Sequence, residues 1–312
     1  MALKTIKIGT RGSPLAMAQS GWVEQRLARL HPRYTFELVI IKTTGDRIQD
    51  RPLQALGGKG LFVKEIEEAL LEGRIDLAVH SMKDLPGDLP EGLTVGAVPE
   101  REDPRDVFVS ADGRSLKEVT PGGRIGTGSL RRKVQLLKYR PDLEVIPLRG
   151  NLETRLKKIK KEGLAGVILA AAGMHRLGFG ERITEYLGPQ IILPAVGQGA
   201  LALEVREEDR EVEELIRAIH HEPTALCTRV ERAFLRRLQG GCQVPIAGYA
   251  CLSEGKLHFQ GMVAALDSPL ILTERIAGDL KDPEGLGAAA ADRLLRKGAR
   301  EILKGKDGGG ID

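Results

Sequence analysis

The sequence predicts an α/β protein with two α/β domains and a small α+β domain at its C-terminal end. Its 312 residues are enough for two or three domains with full cores. Up to Val205, short apolar strands alternate with polar or arginine-containing loops and with helices, a pattern typical of α/β folds with parallel-rich sheets. After Glu222-Pro223 the pattern changes to one helix, three strand-like runs and a final helix, which indicates the third domain.

Composition and charge argue against several classes of function. The chain is 42% hydrophobic and 29% charged, as in ordinary soluble globular proteins. A formal net charge of only +4 and an aromatic content of 4% disfavour nucleic-acid binding, which uses basic surfaces and stacking rings. No apolar run is long enough for a membrane span or a signal peptide. The three cysteines, Cys227, Cys242 and Cys251, form no C-x-x-C pair, and their odd number argues against a disulfide framework. We therefore expect a protein of the reduced cytoplasm without a membrane partner.

The first predicted domain comprises residues 1–99 together with 200–220. Its strands are predicted at 5–9, 36–42, 75–79, 93–98 and 201–205, and its helices at 14–30 and 61–70. Thr43–Gly60 is polar and has no periodicity, which is typical of a mobile lid or an active-site loop. The run Gly57-Gly58-Lys59-Gly60 lacks the full G-x-x-x-x-G-K-[ST] pattern of a phosphate-binding loop, so nucleotide binding is not predicted.

The second predicted domain comprises residues 100–199 and the third comprises residues 221–312. The second contains strands at 106–110, 124–127, 143–147 and 166–170, and helices that begin after the caps Ser129 and Asn151. The first two domains around a cleft would form an arrangement like that of periplasmic binding proteins. In the third domain, a helix to Leu238 precedes strands at 245–250, 256–263 and 270–276 and a last helix at 283–303.

Arginines recur where a predicted strand passes into a helix, at Arg11, Arg131, Arg132, Arg149, Arg155 and Arg176. The guanidinium group is a rigid fork suited to carboxylate or phosphate. One such arginine is usually a surface residue, but six at equivalent positions favour a ligand with several negative charges. Arg131 and Arg132 lie in the first turn of a helix, where cations oppose the helix dipole. An anionic ligand at that position would remove the conflict.

Two further stretches carry candidate chemistry, each with a simpler alternative. Lys83-Asp84 follows a strand, where ligands of α/β domains bind, but it could also be a surface ion pair in a turn. Cys242 follows two glycines, and the arginines of the preceding helix favour its thiolate form. Cys242 is therefore a candidate nucleophile that carries a covalent group, or else a small buried side chain in a turn. Cys227 and Cys251 are expected to be structural.

Several motifs, in their joint order, resemble those of the porphobilinogen deaminase family over nearly the whole chain. The motifs are Gly-Thr-Arg-Gly-Ser-Pro-Leu-Ala at 9–16, Gly-Lys-Gly-Leu-Phe at 58–62, His-Ser-Met-Lys-Asp-Leu-Pro at 80–86, Ile-Gly-Thr-Gly-Ser-Leu-Arg-Arg at 125–132, Leu-Arg-Gly-Asn at 148–151, Gly-Gln-Gly-Ala at 197–200 and Gly-Gly-Cys at 240–242. Gly128 is a departure, because the family often has serine there, and it puts one substrate hydrogen bond in doubt.

The resemblance implies a transferase with a dipyrromethane cofactor bound to Cys242 through a thioether. Such an enzyme condenses four porphobilinogen molecules head to tail, releases ammonia at each step and frees hydroxymethylbilane by hydrolysis. Asp84 would be the catalytic carboxylate, hydrogen-bonded to pyrrole nitrogens, in a monomer without a metal site. The implied cofactor and substrate contacts are Arg11, Ser13, Lys59, Phe62, Ser81, Lys83, Thr127, Ser129, Arg131, Arg132, Arg149, Arg155, Arg176 and Gln198. The acetate and propionate of each pyrrole would account for the arginines.

Two other functions compete with this interpretation. A non-enzymatic two-domain receptor for a small polyanion would explain the architecture and the arginines, but not the Gly-Gly-Cys motif or the third domain. A nucleic-acid-binding protein is opposed by the modest charge and the scarce aromatic residues.

Overall fold

The computed structural model describes residues 3–47, 62–239, 244–266, 268 and 270–304. Lys59, Cys242 and most of the predicted lid Thr43–Gly60 therefore lie outside the described residues. The chain divides into two compact units: unit 1 comprises Met1–Glu102, His175–Gly178 and Gly199–Ala225, and unit 2 comprises Asp103–Met174, Phe179–Gln198 and Leu226–Asp312. The second and third predicted domains thus fall in one unit, and Arg176 falls in unit 1.

The strands of the described residues are, in chain order, β1 Lys4–Thr10, β2 Tyr34–Ile40, β3 Leu77–Ser81, β4 Leu93–Ala97, β5 Asp106–Ser110, β6 Arg124–Gly126, β7 Glu144–Ile146, β8 Gly166–Ala170, β9 Glu185–Leu187, β10 Leu201–Arg206, β11 Ile246–Ser253, β12 Lys256–Ala264 and β13 Ile271–Gly278. The helices are α1 Pro14–Leu30, α2 Thr44–Arg47, α3 Lys64–Leu71, α4 Leu130–Tyr139, α5 Leu152–Lys161, α6 Ala171–Arg176, α7 Arg210–Arg217, α8 Glu222–Arg237, α9 Pro283–Leu294 and α10 Arg300–Lys304.

Unit 1 is built on a five-stranded sheet, sheet A, with the order β2-β1-β3-β10-β4. β2, β1 and β3 are parallel, whereas β10 runs antiparallel to both β3 and β4. One face of the sheet, with Ile8, Leu77 and Leu203, packs against α1 and α7. The opposite face packs against α3, which contributes Val63, just before its first residue, and Ile66.

Unit 2 contains a second five-stranded sheet, sheet B, with the order β7-β6-β8-β5-β9. β7, β6 and β8 are parallel, and β5 runs antiparallel to β8 and β9. Sheets A and B therefore have the same pattern of strand directions, with three parallel strands, one antiparallel strand and an outer strand, although the antiparallel strand is the last of sheet A in the chain and the first of sheet B. The expectation of parallel-rich sheets is confirmed, and one strand of each sheet, β10 or β5, runs antiparallel to its neighbours.

The third sheet, sheet C, is an antiparallel meander of β11, β12 and β13 within unit 2. One face packs against α8 and α9, where the rings of Phe234 and Phe259 lie 4.9 Å apart. The opposite face, with Ala247 and Met262, packs against Val134 of α4. The helix that begins with the paired arginines is thereby held between sheets B and C.

Most predicted elements are present, with several differences. β9 and α7 were not predicted, and the last helix is interrupted by Gly298, whose φ is 98°. The turn after α8 begins with positive φ at Gln239, before the two glycines that were expected to provide it. Cys227 lies in α8 and Cys251 in β11, as predicted. Within the described ranges, no helix combines the length and the apolar character needed to cross a membrane.

Candidate active site

In unit 1, the carboxyl ends of neighbouring parallel strands bring two groups of predicted site residues to one edge of sheet A. Arg11 follows β1, and Lys83 and Asp84 follow β3, which pairs with β1. The Arg11 guanidinium carbon lies 4.0 Å from the centre of the Phe62 ring, a cation–π contact. Ser13 caps α1, with its hydroxyl accepting a hydrogen bond from the amide of Ala16.

Asp84 ends a one-turn 3-10 helix, Met82–Asp84, and its side chain is exposed. Met82 is buried and its amide donates to the carbonyl of Ala200 at 3.0 Å, which attaches this turn to the start of β10. Lys83 is half-buried. The Ser81 hydroxyl exchanges hydrogen bonds with the Gln19 side chain at 2.8 and 3.1 Å. The turn therefore projects a carboxylate from a firmly anchored base.

Arg176 lies at the same edge of sheet A. Its guanidinium donates to the carbonyl of Gly199 at 2.8 Å, immediately before β10. Burial lowers the pKa of Arg176 to about 10, an effect that Glu102 partly opposes, so the group remains a cation at neutral pH. His175 Nδ1 lies 3.1 Å from the Glu102 carboxylate. Three predicted cations and the predicted carboxylate thus lie at one edge of unit 1.

In unit 2, Arg131 and Arg132 are buried and bind the carboxylate of Asp106, the first residue of β5. Arg131 Nη1 lies 2.7 Å from Asp106 Oδ2, and Arg132 Nε lies 2.9 Å from Asp106 Oδ1. Further hydrogen bonds reach the carbonyls of Leu193 and Ile168. The anion that relieves the conflict with the helix dipole is therefore part of the protein, whereas the sequence pattern predicted a ligand.

The charges of this cluster do not balance. Burial alone would raise the pKa of Asp106, but the charges and hydrogen bonds of Arg131 and Arg132 lower it to about 2. At neutral pH one carboxylate therefore faces two guanidinium groups. Burial lowers the pKa of Arg132. One positive charge in excess is held in an interior where ions are costly, so an additional anion is favoured there.

Gln198 completes the cluster from the segment before β10. Its Nε2 donates to the carbonyl of Pro104 at 2.6 Å and to Asp106 Oδ1 at 3.1 Å. Both neighbouring glycines have positive φ, 70° at Gly197 and 90° at Gly199, which explains the Gly-Gln-Gly pattern. Gln198 is 1% exposed and so acts from within the cluster.

The remaining predicted residues of unit 2 lie at the carboxyl ends of β6 and β7. Thr127 is buried and its hydroxyl accepts a hydrogen bond from the amide of Ser129, which caps α4. Arg149 is exposed, and Arg155 Nε donates to the carbonyl of Gly150 at 2.9 Å. A Cβ at Gly128 would overlap the carbonyl oxygen of Leu148, so the backbone here is built for glycine.

Sequence reasoning missed two residues of this cluster. Asp106 is the first residue of an otherwise apolar strand. A charged residue at such a position, in a chain that also places two consecutive arginines at the start of a helix, could have predicted this ion pair. Gln135 gave no such signal. Its side-chain amide nitrogen donates to the Leu193 carbonyl at 3.2 Å, and its side-chain oxygen accepts from the Leu193 amide at 2.8 Å. These bonds fix the loop around Leu193, whose carbonyl also accepts from Arg131. Among the described residues, no group of three or more His, Cys, Asp or Glu could hold a metal.

Two family models match consecutive parts of the chain. Residues 6–214 match the model described as "Porphobilinogen deaminase, dipyromethane cofactor binding domain", and residues 225–296 match "Porphobilinogen deaminase, C-terminal domain". Similar curated proteins carry the name porphobilinogen deaminase. The protein of Syntrophotalea carbinolica is 52% identical over 98% of both chains. That of Geobacter sulfurreducens is 52% identical over 97% of this chain and 95% of its own.

Solved structures give weaker similarities. A TRAP periplasmic solute binding protein from Desulfovibrio salexigens superposes with a TM-score of 0.44 at 10% identity, covering 70% of this chain and 73% of that one. A second TRAP periplasmic solute binding protein, from Chromohalobacter salexigens, gives 0.40 at 15% identity over 70% and 76%. The α/β class with a small third sheet rests on the strand pairing described above.

Proposed function

The chain belongs to the porphobilinogen deaminase family, and on this premise we propose which of its residues carry the reaction. The protein is a transferase of tetrapyrrole and haem biosynthesis, a hydroxymethylbilane synthase, whose substrate is porphobilinogen and whose cofactor is a dipyrromethane. It joins four substrate molecules head to tail with loss of ammonia, and hydrolysis then releases the linear product. The observation that carries the residue assignment is the meeting of Arg11, Lys83 and Asp84 at one edge of sheet A.

The cofactor is proposed to be attached to Cys242, and the cations of unit 2 to hold its carboxylates. The charge excess of Arg131 and Arg132 over Asp106 fits an anionic group. Exposed Arg149 and half-buried Arg155 would add further guanidinium contacts. When bound, the dipyrromethane supplies the pyrrole to which the first substrate molecule is joined.

Asp84 is proposed as the catalytic carboxylate. Loss of ammonia leaves a positive charge on the substrate ring, and this charge is shared with its N–H group. A carboxylate next to that group stabilises the charge by hydrogen bonding and by its own charge, which the arginines cannot do because they have the same sign. Arg11, Lys83 and Arg176 at the same edge are proposed to bind the substrate carboxylates, with Ser13, Ser81 and Phe62 lining the site.

The test compares Asp84→Asn with Asp84→Glu on protein of verified cofactor content. Asparagine keeps the shape but loses the charge, so we expect kcat to fall by about 10²–10³. Glutamate keeps the charge one methylene away and should retain partial activity. An Asp84→Asn enzyme as active as the parent would remove the charge-stabilising role.

The cofactor assignment has its own test, the intact mass of the purified protein. We expect a covalent addition on the parent chain and none on Cys242→Ser, because a hydroxyl is a much weaker nucleophile than a thiolate. Cys227→Ser is the matched control and should keep the addition. A pyrrole adduct on Cys242→Ser would move the attachment site elsewhere.

We also propose that residues 221–312 form a separate third domain and that the protein is a cytoplasmic monomer without nucleic-acid partners. The separate C-terminal match at 225–296 supports the domain boundary. The odd number of cysteines, three, argues against a disulfide framework and so supports a reducing compartment. Light scattering of the purified protein tests the monomer.

A further inference from the structure

Three buried titratable side chains form a cluster in unit 1 that the reaction does not use. His80 lies on β3, Glu204 on β10 and Glu67 on α3, and they are 5%, 0% and 8% exposed. His80 Nε2 lies 2.9 Å from Glu204 Oε2. Within the described part of the chain, Glu67 Oε1 and Glu204 Oε1 are buried without a hydrogen-bond partner. Buried polar atoms without hydrogen bonds reduce the stability of the folded state, so we expect a function that explains them.

The cluster lies on a short strand pair next to a shift in strand register. β3 and β10 pair over only four residues, from Leu201 opposite Ser81 to Glu204 opposite Ala78. On its other side, β10 pairs with β4, and the register shifts between Leu203 and Glu204. A two-residue periodicity means that a slip by one residue would turn every side chain to the wrong face. The His80–Glu204 hydrogen bond crosses the β3–β10 pair diagonally and opposes such a slip.

Register at this place determines where two proposed site residues lie. The two residues just before β10 accept hydrogen bonds through their backbone carbonyls. Gly199 accepts from the Arg176 side chain at 2.8 Å, and Ala200 accepts from the amide of Met82, two residues before Asp84, at 3.0 Å. Met82 also packs with Val63 and Ala202 beneath the turn. Movement of β10 along β3 would therefore shift both Arg176 and the Asp84 turn.

The third member of the cluster is Glu67. It faces the sheet from α3, with Glu204 on β10 and His80 on β3 as its titratable neighbours and Glu68 next to it on the helix. Two buried carboxylates that lie side by side repel each other, and a proton on one of them removes that repulsion. Burial, with help from the charge of Glu204, raises the pKa of Glu67 to about 7.

We propose that the buried His80–Glu204 pair, with Glu67 next to it, is a positioning device that sets the register of β10 on β3 and thereby places Asp84 and Arg176 for the reaction. None of the three touches the reacting atoms. The proposal rests on the function proposed for Asp84, so its test includes a measurement that does not depend on activity.

The main test uses His80→Leu, Glu204→Leu and the double variant. Each single change leaves one partner buried and unpaired, so both should lose stability. In the double variant two apolar residues replace the pair, and the free energy of unfolding should recover. We expect its kcat to stay about 10- to 100-fold below the parent, because the register is no longer fixed, with a smaller change in KM. A double variant with parental kcat would overturn the proposal.

Amide hydrogen exchange at Met82 supplies the second measurement. Its hydrogen bond to Ala200 reports the register directly. Met82 should exchange at least about tenfold faster in the double variant, whereas Ile8 in β1 should not change. Parental protection at Met82 would overturn the proposal even if Asp84 proved unimportant, so the two failures can be told apart.

A conservative variant guards against loss of folding. His80→Gln keeps an N–H donor for Glu204, so we expect more kcat and slower Met82 exchange than in His80→Leu. Equal effects of the two substitutions would contradict the positioning role. Glu68→Gln, an exposed change next to Glu67, is the matched control and should leave kcat and exchange unchanged.

Discussion

Sheets A and B share their pattern of strand directions, and each buries a carboxylate on its antiparallel strand, but the neighbours of that carboxylate differ. In sheet B, Asp106 on β5 faces two guanidinium groups, so the cluster has an excess positive charge. In sheet A, Glu204 on β10 faces one imidazole and a second carboxyl group, Glu67. The two positions are not equivalent in register, since Asp106 is the first residue of its strand and Glu204 the fourth.

The difference shows how one pattern of strand directions serves two purposes. A carboxylate between two arginines is ionised over the whole physiological range and leaves a permanent positive charge near the strand ends. A carboxyl group whose pKa is raised by burial, and further by a neighbouring carboxylate, instead titrates near neutrality. Unit 2 is thereby suited to bind anions, while the interior of unit 1 carries a titratable cluster.

The largest expected effect comes from removing the carboxylate of sheet B. Asp106→Asn keeps the shape but leaves two buried guanidinium groups without a counter-ion, so the free energy of unfolding should fall by about 3–5 kcal/mol. Asp112→Asn removes the partner of Arg114 in an exposed pair and should cost far less, because solvent screens the two charges. Urea unfolding of both variants measures the difference. Similar losses would show that burial does not distinguish the pairs.

The next effect is the pH dependence of sheet A. Because the pKa of Glu67 is raised from its ordinary 4.5 to about 7, the folded state holds a proton that the unfolded chain releases. The stability from this group is complete below pH 4.5 and is lost as pH rises through about 7, by about 3 kcal/mol in all. Glu67→Gln should flatten that dependence in urea unfolding between pH 5 and 8, and Glu68→Gln should not.

Asp106 should give the opposite pH dependence. Its pKa of about 2 lies below the ordinary 3.8, so its stabilisation is present above pH 3.8 and is lost as pH falls through about 2. The expected loss is about 2 kcal/mol, measured as the difference between the parent and Asp106→Asn in acid unfolding. A parent whose stability did not fall between these pH values would contradict the assignment of the charge.

Exposed Arg149 of unit 2 allows binding of an anion to be tested separately from stability. Arg149→Ala should leave the free energy of unfolding unchanged, because Arg149 is exposed, but cost about 1.5–3 kcal/mol in binding of a carboxylate. Mass spectrometry should then detect enzyme arrested with a partly elongated chain. Arg114→Ala is the control, an exposed arginine of the same unit outside the proposed site. Parental kinetics for Arg149→Ala would make it a surface residue only.

The smallest expected effect concerns the loop between β6 and α4. Gly128→Ser would place a Cβ against the carbonyl oxygen of Leu148, so we expect a loss of about 1 kcal/mol as this exposed loop shifts. A serine that stabilised the protein in urea unfolding would show that the loop adapts without strain.

The sequence was a good guide to elements and a poor guide to strand direction. Strands Asp106–Ser110 and Gly166–Ala170 were predicted at their observed bounds, because continuous apolar runs between polar loops mark buried strands. The same runs carry no information on direction, so the antiparallel β5 and β10 were missed. β9 is only three residues long and exists because β5 offers it a partner.

Site residues could be predicted where their position in the chain fixes their place in the fold, and could not be predicted where tertiary packing fixes it. The positions of Arg11 and Asp84 could be predicted because each residue follows the carboxyl end of a strand, β1 or β3, and these two strands are parallel neighbours. The partner of Arg131 and Arg132 depends on which way β5 runs, since only an antiparallel strand starts at the edge where the other strands end. Glu67 and Glu204 are ordinary surface-type residues in the sequence, and only the packing of α3 on sheet A reveals them as buried.

The place of β10 in sheet A has a consequence for synthesis on the ribosome. β10 lies between β3 and β4, yet it follows all of sheet B in the chain. Sheet B is complete once β9 has emerged, whereas β4 has no neighbour in its sheet until β10 arrives more than a hundred residues later. The nascent chain must therefore keep the edge of β3 unpaired while an entire second sheet is made. Sheet A is therefore completed only after sheet B has been made, although its first strands are synthesised before those of sheet B.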